Sequence, residues 1–254
     1  MMSLSIFRLL IVKVTGGDTL YRIADLTVEM HTFGRTLIQS EPYWYDGNQE
    51  ESADIIIQSQ WKEYQERYPY CNEDISEYMS TGSQFYWRLI DHGGMMLHSS
   101  AVMVDGRVYL FSAPSGTGKS THTALWLQYL GERAQIINDD KPAIRVIGEK
   151  AYVYGTPWSG KTDQNRNVRG ELAGIAVVKR AKENQIRRLN NKEAIFALLD
   201  QTPRSRIEKR VERLFQVIET LIQTIPIYEL SCNMELEAAK LAYETMAVPE
   251  RNIE

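Results

Sequence analysis

The chain has 254 residues, of which 43% are hydrophobic and 24% charged, and its formal net charge is −4. This composition is typical of a globular protein with a sizeable core, and it excludes a disordered tail and a coiled coil. Two cysteines and four scattered histidines supply neither a disulfide framework nor a zinc site built on paired cysteines.

The first predicted element is a strand at residues 5–14. Arg8 and Lys13 interrupt this apolar segment, and no small-residue cleavage site follows it, so we interpret it as a strand and not as a signal peptide. No apolar stretch approaches the ~20 residues that a helix needs to cross a membrane. The sequence therefore predicts a cytoplasmic protein with no membrane partner.

Two further strands are predicted at residues 20–28 and 53–58, where apolar residues alternate or run together between turn signals. They make residues 1–90 a β-rich region, which we expect to pack on the core formed by residues 91–254. A helix is predicted at residues 72–91, because its apolar residues recur mostly at helical separations before Gly93 and Gly94.

A β-hairpin is predicted next, with strands at residues 96–104 and 107–112 and a tight turn at Asp105 and Gly106. From this point strands and helices alternate. The C-terminal two thirds of the chain therefore predict an α/β fold with a mixed sheet.

A glycine-rich loop, APSGTGKS, follows the hairpin at residues 113–120, and a helix is predicted directly after it. This strand, loop and helix match the phosphate-binding P-loop, in which backbone N–H groups form an anion-binding nest at a helix N-terminus. Lys119 would reach the β- and γ-phosphates, and the Ser120 hydroxyl would hold Mg²⁺. The predicted nucleotide-binding residues are Ser115, Gly116, Thr117, Gly118, Lys119, Ser120 and Thr121.

Two adjacent carboxylates, Asp139 and Asp140, end a strand predicted at residues 134–138. In a parallel sheet the end of this strand would lie beside the glycine-rich loop, with the carboxylates directed at metal and γ-phosphate. Neighbouring residues of a strand face opposite ways, so we expect one aspartate to be a general base and the other a Mg²⁺ ligand. A pair of turn aspartates before Pro142 is the alternative.

Two more features are candidates for the site. His98 lies near the start of the hairpin, where a structural role is also open. A second glycine- and lysine-bearing loop at residues 155–161 leads towards further basic residues and would close over phosphate or substrate, or else is a surface loop. The candidate substrate-binding residues in this region are Lys161, Arg166 and Arg169.

The remaining elements are predicted as strands at residues 143–147, 151–154, 172–179 and 227–231 and as helices at 205–224 and 235–246. Charge is unevenly divided: residues 1–90 carry 13 acidic and 7 basic side chains, whereas residues 161–213 carry 14 basic and 7 acidic ones. The basic excess indicates either a solvated helix face or a surface that attracts phosphate or an acidic partner. No recognition motif accompanies it, so we expect no nucleic-acid partner.

Taken in order, the segment around His98, the loop SGTGKS and the sequence IINDD resemble the catalytic domain of bacterial HPr kinase/phosphorylase. That family shares its P-loop kinase fold with phosphoenolpyruvate carboxykinase. The resemblance covers roughly residues 95–180. It implies a kinase that uses ATP and Mg²⁺ to phosphorylate a hydroxyl, most simply a serine, of a protein, peptide or small molecule.

The resemblance also implies residue roles. Asp139 would be the general base, Asp140 its neighbour near metal and phosphate, and His98 a histidine that assists them. Lys119 would join them in catalysis, and Ser120 and Asp140 would hold the metal. A homo-oligomer is compatible with the family.

Two departures from the family pattern leave other functions open. Ala113 replaces the first glycine of the loop, and the family's glutamate before Ile-Arg-Gly is missing ahead of Arg169 and Gly170. These departures motivate a second hypothesis, a non-catalytic ATP-binding regulatory or accessory protein. A third is carboxykinase-like phosphotransfer to a carboxylic acid, although no evident His, Lys and Asp cluster for a transition metal supports it.

Overall fold

The computed structural model of the chain describes residues 19–45, 47 and 52–247. The strand predicted at residues 5–14 lies outside them. Within the described part of the chain, no helix has the length and apolar character needed to span a bilayer.

The described N-terminal region contains a small three-stranded sheet. Strands β1 (Thr19–Ile23) and β2 (Leu26–Met30) form an antiparallel hairpin, and β3 (Ile55–Ile57) pairs parallel to β2. Ala24 and Asp25 make the hairpin turn with φ of 54° and 58°. The single strand predicted at residues 20–28 was therefore wrong, because two left-handed residues reverse the chain in its middle.

Three helices accompany this sheet: α1 (Gly34–Ser40), α2 (Trp61–Arg67) and α3 (Glu73–Leu89). Helix α3 matches the helix predicted at residues 72–91, and it begins where the Asn72 side chain accepts a hydrogen bond of 2.8 Å from the Ile75 N–H. The described part of residues 1–90 therefore contains three helices beside its small sheet.

A second, nine-stranded sheet forms the centre of the described chain. Its strand order is β4-β8-β9-β10-β6-β5-β7, and β12 joins β10 and carries β11. The strands are β4 (Gly94–Met96), β5 (Ser99–Val104), β6 (Arg107–Ser112), β7 (Ala134–Asp140), β8 (Ala143–Ile147), β9 (Lys150–Tyr154), β10 (Arg169–Arg180), β11 (Gln185–Arg188) and β12 (Ile227–Cys232). Parallel and antiparallel pairs both occur, so the mixed α/β fold predicted from the sequence is confirmed.

Helices cover both faces of the large sheet. Alternate residues of β5 and β6, such as Val102 and Phe111, pack with α4 (Lys119–Leu130) and α7 (Leu236–Met246). The intervening residues, such as Ala101 and Leu110, pack with α5 (Asn191–Asp200) and α6 (Glu208–Thr224). The period-two alternation of both strands therefore supplies two separate cores.

The small sheet and α3 share a third core with the large sheet. Phe85 of α3 stacks on Trp158 with ring centroids 4.9 Å apart, and both side chains are fully buried. Gly82 makes this approach possible, since a Cβ there would lie 2.8 Å from Cδ1 of Trp158. The contact fixes the segment around Trp158, which continues into the candidate site.

The strand register brings four chain segments to one edge of the large sheet. Ser99, at the start of β5, lies opposite Ser112 at the end of β6 and opposite Asp140 at the end of β7. Val177 of β10 pairs with Ser112 from the other side. The segment before β5, the loop after β6 and the ends of β7 and β10 consequently meet.

Several predicted elements differ from the structure. The strand at residues 96–104 is broken at Leu97 and His98, because β4 pairs with β8 whereas β5 pairs with β6 and β7. Strand β7 runs on through both aspartates, and the antiparallel β5 separates it from β6, so β7 does not have the parallel neighbour that we expected among the described strands. Helix α5 and strand β11 were not predicted.

Candidate phosphate-binding and catalytic site

The glycine-rich loop has a conformation that requires two of its glycines. Gly116 and Gly118 have φ of 79° and 118°, a region that side chains strongly disfavour, although a Cβ at either position would meet nothing within 4 Å. Ala113 is fully buried and does not share this positive φ, so alanine fits where the motif has its first glycine. The departure at Ala113 leaves the fold of the loop intact.

Lys119 is held inside the loop that it follows. Its Nζ donates a hydrogen bond of 2.8 Å to the Ala113 carbonyl oxygen and lies 3.2 Å from Nε2 of His98. Burial lowers the pKa of Lys119, and the charges of Asp140 and Asp139 only partly offset this effect. The ammonium group is therefore fixed between His98 and the start of the glycine-rich loop.

Asp139 faces the hydroxyl of the residue after Lys119. The Ser120 Oγ lies 3.1 and 3.0 Å from the two carboxylate oxygens of Asp139, and Thr162 Oγ1 donates to the same carboxylate at 2.9 Å. Asp139 is only 4% exposed, whereas Ser120 is open to solvent. A serine hydroxyl beside a buried carboxylate is the pair of oxygen ligands with which P-loop proteins hold Mg²⁺.

Asp140 faces the other way, towards two cationic or ionisable groups. Its Oδ1 lies 3.0 Å from His98 Nε2, and its Oδ2 forms an ion pair with Lys141. Burial alone would raise the pKa of Asp140, but the hydrogen bonds and charges of His98 and Lys141 outweigh burial and hold that pKa well below its usual range. The carboxyl group is therefore ionised at neutral pH.

The backbone of Asp140 is also unusual, with φ of 115°. A non-glycine residue rarely adopts such an angle, and backbone strain of this kind concentrates at functional sites. Gly160, with φ of 68°, lies against it, and a Cβ on this glycine would come within 2.6 Å of the Asp140 Cβ. A side chain at position 160 would therefore clash with Asp140, so glycine is required there.

His98 is oriented by a residue distant in sequence. Its Nδ1 lies 3.0 Å from Gln201 Oε1, and its backbone N–H donates to the Gln201 carbonyl oxygen at 2.8 Å. The opposite ring nitrogen faces both Lys119 and Asp140. One nitrogen cannot accept from Lys119 and donate to Asp140 at once, so Nε2 serves one of these two partners at a time.

The loop at residues 155–161 packs against the end of β7. Asn138 Nδ2 donates to the Thr156 carbonyl oxygen at 3.0 Å, and Gly160 N–H donates to Tyr78 OH at 3.0 Å. A Cβ on Gly155 would lie 1.9 Å from the Arg166 carbonyl oxygen, so only glycine fits there. The second glycine-bearing loop is therefore part of the site wall.

The three candidate substrate-binding residues are not brought together. Lys161 is exposed directly after Gly160 and forms no ion pair with a described residue. Arg166 is exposed beside β7, in a depression with Gln135. Arg169 pairs with Asp25 at the far end of β10, roughly 25 Å along the strand from Val177 at about 3.3 Å per residue. Its position contradicts the expected substrate contact, because the loop lies at the other end of that strand.

The site residues missed from the sequence include Lys141 and Thr162, which contact the two aspartates, and also Gln201 and Arg180. Arg180 ends β10, and its Nε and Nη2 donate to the carbonyl oxygens of Thr117 and Gly116 at 2.8 and 2.5 Å. Its position at the end of an apolar strand was the sequence signal that could have identified it. Gln201 follows the unpredicted helix α5, so no local pattern pointed to it.

No family model matches the sequence, and no curated protein matches it. Among solved structures, the chain is similar to the Hpr(Ser) kinase/phosphatase from Coxiella burnetii. The two share 11% sequence identity with a TM-score of 0.35, over 60% of this chain and 93% of that one. The chemistry of the site therefore has to be argued from its own geometry.

Proposed function

We propose that the protein is an ATP-dependent phosphotransferase that moves the γ-phosphoryl group to a hydroxyl, with a serine side chain as the simplest acceptor. One observation carries this proposal: the P-loop, a Ser120–Asp139 pair suited to Mg²⁺ and a separate His98–Asp140 pair converge at one sheet edge. A site that only binds nucleotide needs the first two features and has no use for the third.

The nucleotide side of the proposal rests on the loop. Backbone N–H groups between Gly116 and Ser120 would bind the phosphate oxygens at the start of α4, where the helix dipole favours negative charge. Lys119 would place its ammonium group against the β- and γ-phosphates. Arg180 would keep the loop carbonyls turned outwards, so that the N–H groups face the nucleotide.

The residues present fit Mg²⁺. The described chain has no group of three or more His, Cys, Asp or Glu side chains that would hold a metal by themselves. Mg²⁺ needs no such cage, since it binds through one or two carboxylates together with water and substrate phosphates. The Ser120 hydroxyl and the Asp139 carboxylate supply those protein oxygens, and the bound ion would neutralise charge on the phosphates.

The contacts favour a division of the two aspartates opposite to the one that the family resemblance implies. Asp139 faces Ser120 and so belongs to the metal side, whereas Asp140 faces His98 on the side away from Ser120. We therefore propose Asp140 as the group that receives the acceptor hydroxyl. Its low pKa keeps it ionised, so that it can accept a hydrogen bond from that hydroxyl.

In the proposed reaction the acceptor oxygen forms a bond to the γ-phosphorus while the bond from that phosphorus to the β–γ bridging oxygen breaks. ADP leaves with the electron pair of the broken bond, and the hydroxyl proton passes to the Asp140 carboxylate. Lys119 stabilises negative charge on the transferring group. Little covalent chemistry falls to the protein, so positioning and charge supply most of the rate.

The proposal is tested by ADP formation with MgATP and a panel of serine peptides and free serine. Asp140→Asn removes the proton acceptor and is expected to lower kcat by 10²-fold or more, whereas the Kd for MgATP changes little. Asp139→Asn is expected to weaken Mg²⁺-dependent nucleotide binding as well. Asp105→Asn is the matched control, because Asp105 also has a positive φ but lies in the hairpin turn at the opposite sheet edge.

Equal turnover by wild type and Asp140→Asn would contradict the assignment of Asp140. Tight MgATP binding without any acceptor-dependent ADP would instead identify an accessory protein that uses the nucleotide as a ligand.

A further inference from the structure

An apolar cavity of about 210 Å³ opens beside the proposed catalytic site. It lies between α3, the end of β4 and the loop around Trp158, and its walls include Tyr78, Met79, Trp87, Met96, Trp158 and Pro203. Lys141 is the only charged residue among those that line it. We call it the apolar pocket. An apolar cavity of about 150 Å³ already accommodates a benzene ring, so this one has room for an aromatic or large aliphatic side chain.

The apolar pocket shares its walls with the catalytic residues. Lys141, on its rim, forms the ion pair with Asp140. Tyr78 receives the hydrogen bond from Gly160, which touches Asp140. Met96 precedes His98 by two residues in the chain. A group seated in the pocket would therefore hold its neighbouring atoms close to the carboxylate proposed to receive the hydroxyl.

A strongly basic surface continues from the apolar pocket. A second cavity, of about 450 Å³, is lined by Arg67, Arg204, Arg206 and Arg210, with Trp87 as the residue common to both cavities. We call these four residues the arginine surface. Pro203, which lines the apolar pocket, directly precedes Arg204 in the chain. The apolar pocket and the arginine surface are therefore adjacent on the protein.

Part of the positive charge of the arginine surface is not neutralised by an ion pair with a described residue. Arg210 is paired with Asp91, but Arg204 and Arg206 are exposed and form no ion pair with a described residue. Trp87 and Ile207 beside them are 43% and 54% exposed, so two large apolar side chains lie next to the exposed arginines. Both features favour an anionic partner that also carries apolar groups, because arginine and aromatic residues dominate recognition surfaces of this kind.

We infer that the phosphoryl acceptor is a polypeptide segment with an apolar side chain next to its hydroxyl-bearing residue and acidic residues further along. The inference rests on the proposed kinase function and names its substrate class. The apolar side chain occupies the apolar pocket, the hydroxyl meets Asp140, and the acidic residues lie on the arginine surface. An extended chain spans these consecutive sites, whereas a small metabolite would fill only one.

The test uses three synthetic peptides that share one serine. The first has phenylalanine beside the serine and a run of glutamates beyond it, the second has alanine in place of the phenylalanine, and the third has lysines in place of the glutamates. The full chain is expected to phosphorylate the first with a kcat/KM at least about tenfold above that of either other peptide. The ratio of kcat/KM for the first peptide, with glutamates, to that for the third, with lysines, is expected to fall with added salt.

Variants separate the two parts of the site. Arg204→Glu combined with Arg206→Glu is expected to reverse the preference between the glutamate and lysine peptides, whereas Lys192→Glu with Lys240→Glu makes the same charge change elsewhere and should preserve it. Ser83→Leu fills the apolar pocket from α3 and is expected to remove the preference for phenylalanine over alanine. Ser83→Ala leaves the pocket open and should retain that preference.

Binding of the same peptides, fluorescently labelled, is followed by anisotropy without nucleotide. If the peptides bind in the expected order but none is phosphorylated, the kinase function fails and the docking surface stands. If all three are phosphorylated equally well, or if none binds and none is phosphorylated, the inference is overturned. Binding of the third peptide more tightly than the first would also overturn it.

Discussion

Asp140 combines a backbone angle that disfavours a side chain with contacts that need one. Its φ of 115° is a conformation open to glycine, yet the carboxylate pairs with His98 and Lys141. Such strain costs about 1–3 kcal/mol and persists only where the surrounding structure enforces it. At the scale of single residues, Asp140 therefore lowers the stability of the fold at the position that we propose for catalysis.

This loss of stability can be measured by comparing two neutral substitutions. Asp140→Asn and Asp140→Gly both remove the charge, but only glycine relieves the backbone. We expect the free energy of unfolding in urea to be about 1 kcal/mol higher for Asp140→Gly than for Asp140→Asn. Both variants are expected to be inactive. Equal stability, or a less stable glycine variant, would contradict strain at this position.

Glu77 is a second residue with a stability consequence. It is fully buried on α3 and accepts a hydrogen bond from Thr36, and burial raises its pKa from 4.5 to about 7. A carboxyl whose pKa rises on folding stabilises the fold below its unfolded pKa and loses this contribution as pH rises through the folded value. The free energy of unfolding therefore falls by about 3 kcal/mol between pH 4.5 and 7, and it stays at the lower value at higher pH.

Glu77→Gln removes this titration. We expect the variant to match wild type near pH 4 and to exceed it progressively up to pH 8, when the free energies of unfolding are measured in urea at each pH. The difference between the two curves isolates Glu77, because every other group is common to both. A difference independent of pH would show that Glu77 does not titrate in this range.

Arg180 contacts the backbone of the glycine-rich loop, so we propose that it is a positioning residue for the nucleotide. Arg180→Ala removes both hydrogen bonds to the loop carbonyls and is expected to raise the Kd of MgATP about tenfold. Arg180→Lys should recover part of this affinity, since one charged donor remains. Isothermal titration provides the measurement, and an unchanged Kd in Arg180→Ala would contradict the role.

At the scale of elements, α3 and the loop around Trp158 depend on one glycine. Gly82→Ala would improve helix propensity by about 1 kcal/mol in an open helix, but here its Cβ meets buried Trp158 at 2.8 Å. We expect the clash to outweigh the gain in helix propensity, so that the free energy of unfolding in urea falls by about 1–3 kcal/mol. Ser83→Ala, one residue along and half-exposed, should be neutral or slightly stabilising, and a stabilised Gly82→Ala would refute the packing argument.

The same scale explains what the sequence could predict. The glycine-rich loop and the two aspartates are encoded by contiguous residues, so their presence could be predicted, and so could the hairpin turn at Asp105. Strand β5 lies between β6 and β7. The pairing of β5 with β7 joins distant parts of the chain, so no local sequence pattern predicts it. The family resemblance implies Asp139 as the base, whereas the contacts favour the opposite division of roles that we propose.

Residues brought in from afar escaped prediction for the same reason. Gln201 meets His98 across 103 residues, and Arg180 meets Thr117 across 63. Helix α5 is a different case, because Asn190 and Glu193 form a capping box that the sequence displays. That signal was present and was overlooked.

At the scale of the whole molecule, the N-terminal region and the large sheet share a core. Phe85 of α3 and Trp158 are both fully buried in it, together with Tyr154 of β9. A boundary near residue 90 remains a proposal about how the chain is organised. The shared core predicts that the two parts do not fold independently.

A chain of residues 91–254 tests this point. Without α3 it would expose Trp158 and Tyr154, and we expect it to lack the cooperative urea transition and near-ultraviolet circular dichroism of the full chain. The full chain is expected to unfold in one transition by fluorescence and by far-ultraviolet circular dichroism. Two separate transitions, one matching residues 91–254 alone, would establish an independent domain.

We propose the transfer of the γ-phosphoryl group from ATP to a hydroxyl at the meeting point of the glycine-rich loop and Asp140. It is tested most directly by incubating the full chain with MgATP labelled at the γ-phosphate and the serine peptides, and following the label by mass spectrometry. We predict phosphoserine and ADP in equal amounts with wild type, and neither with Lys119→Met. MgATP bound tightly by wild type, with no label on any acceptor, would contradict the account.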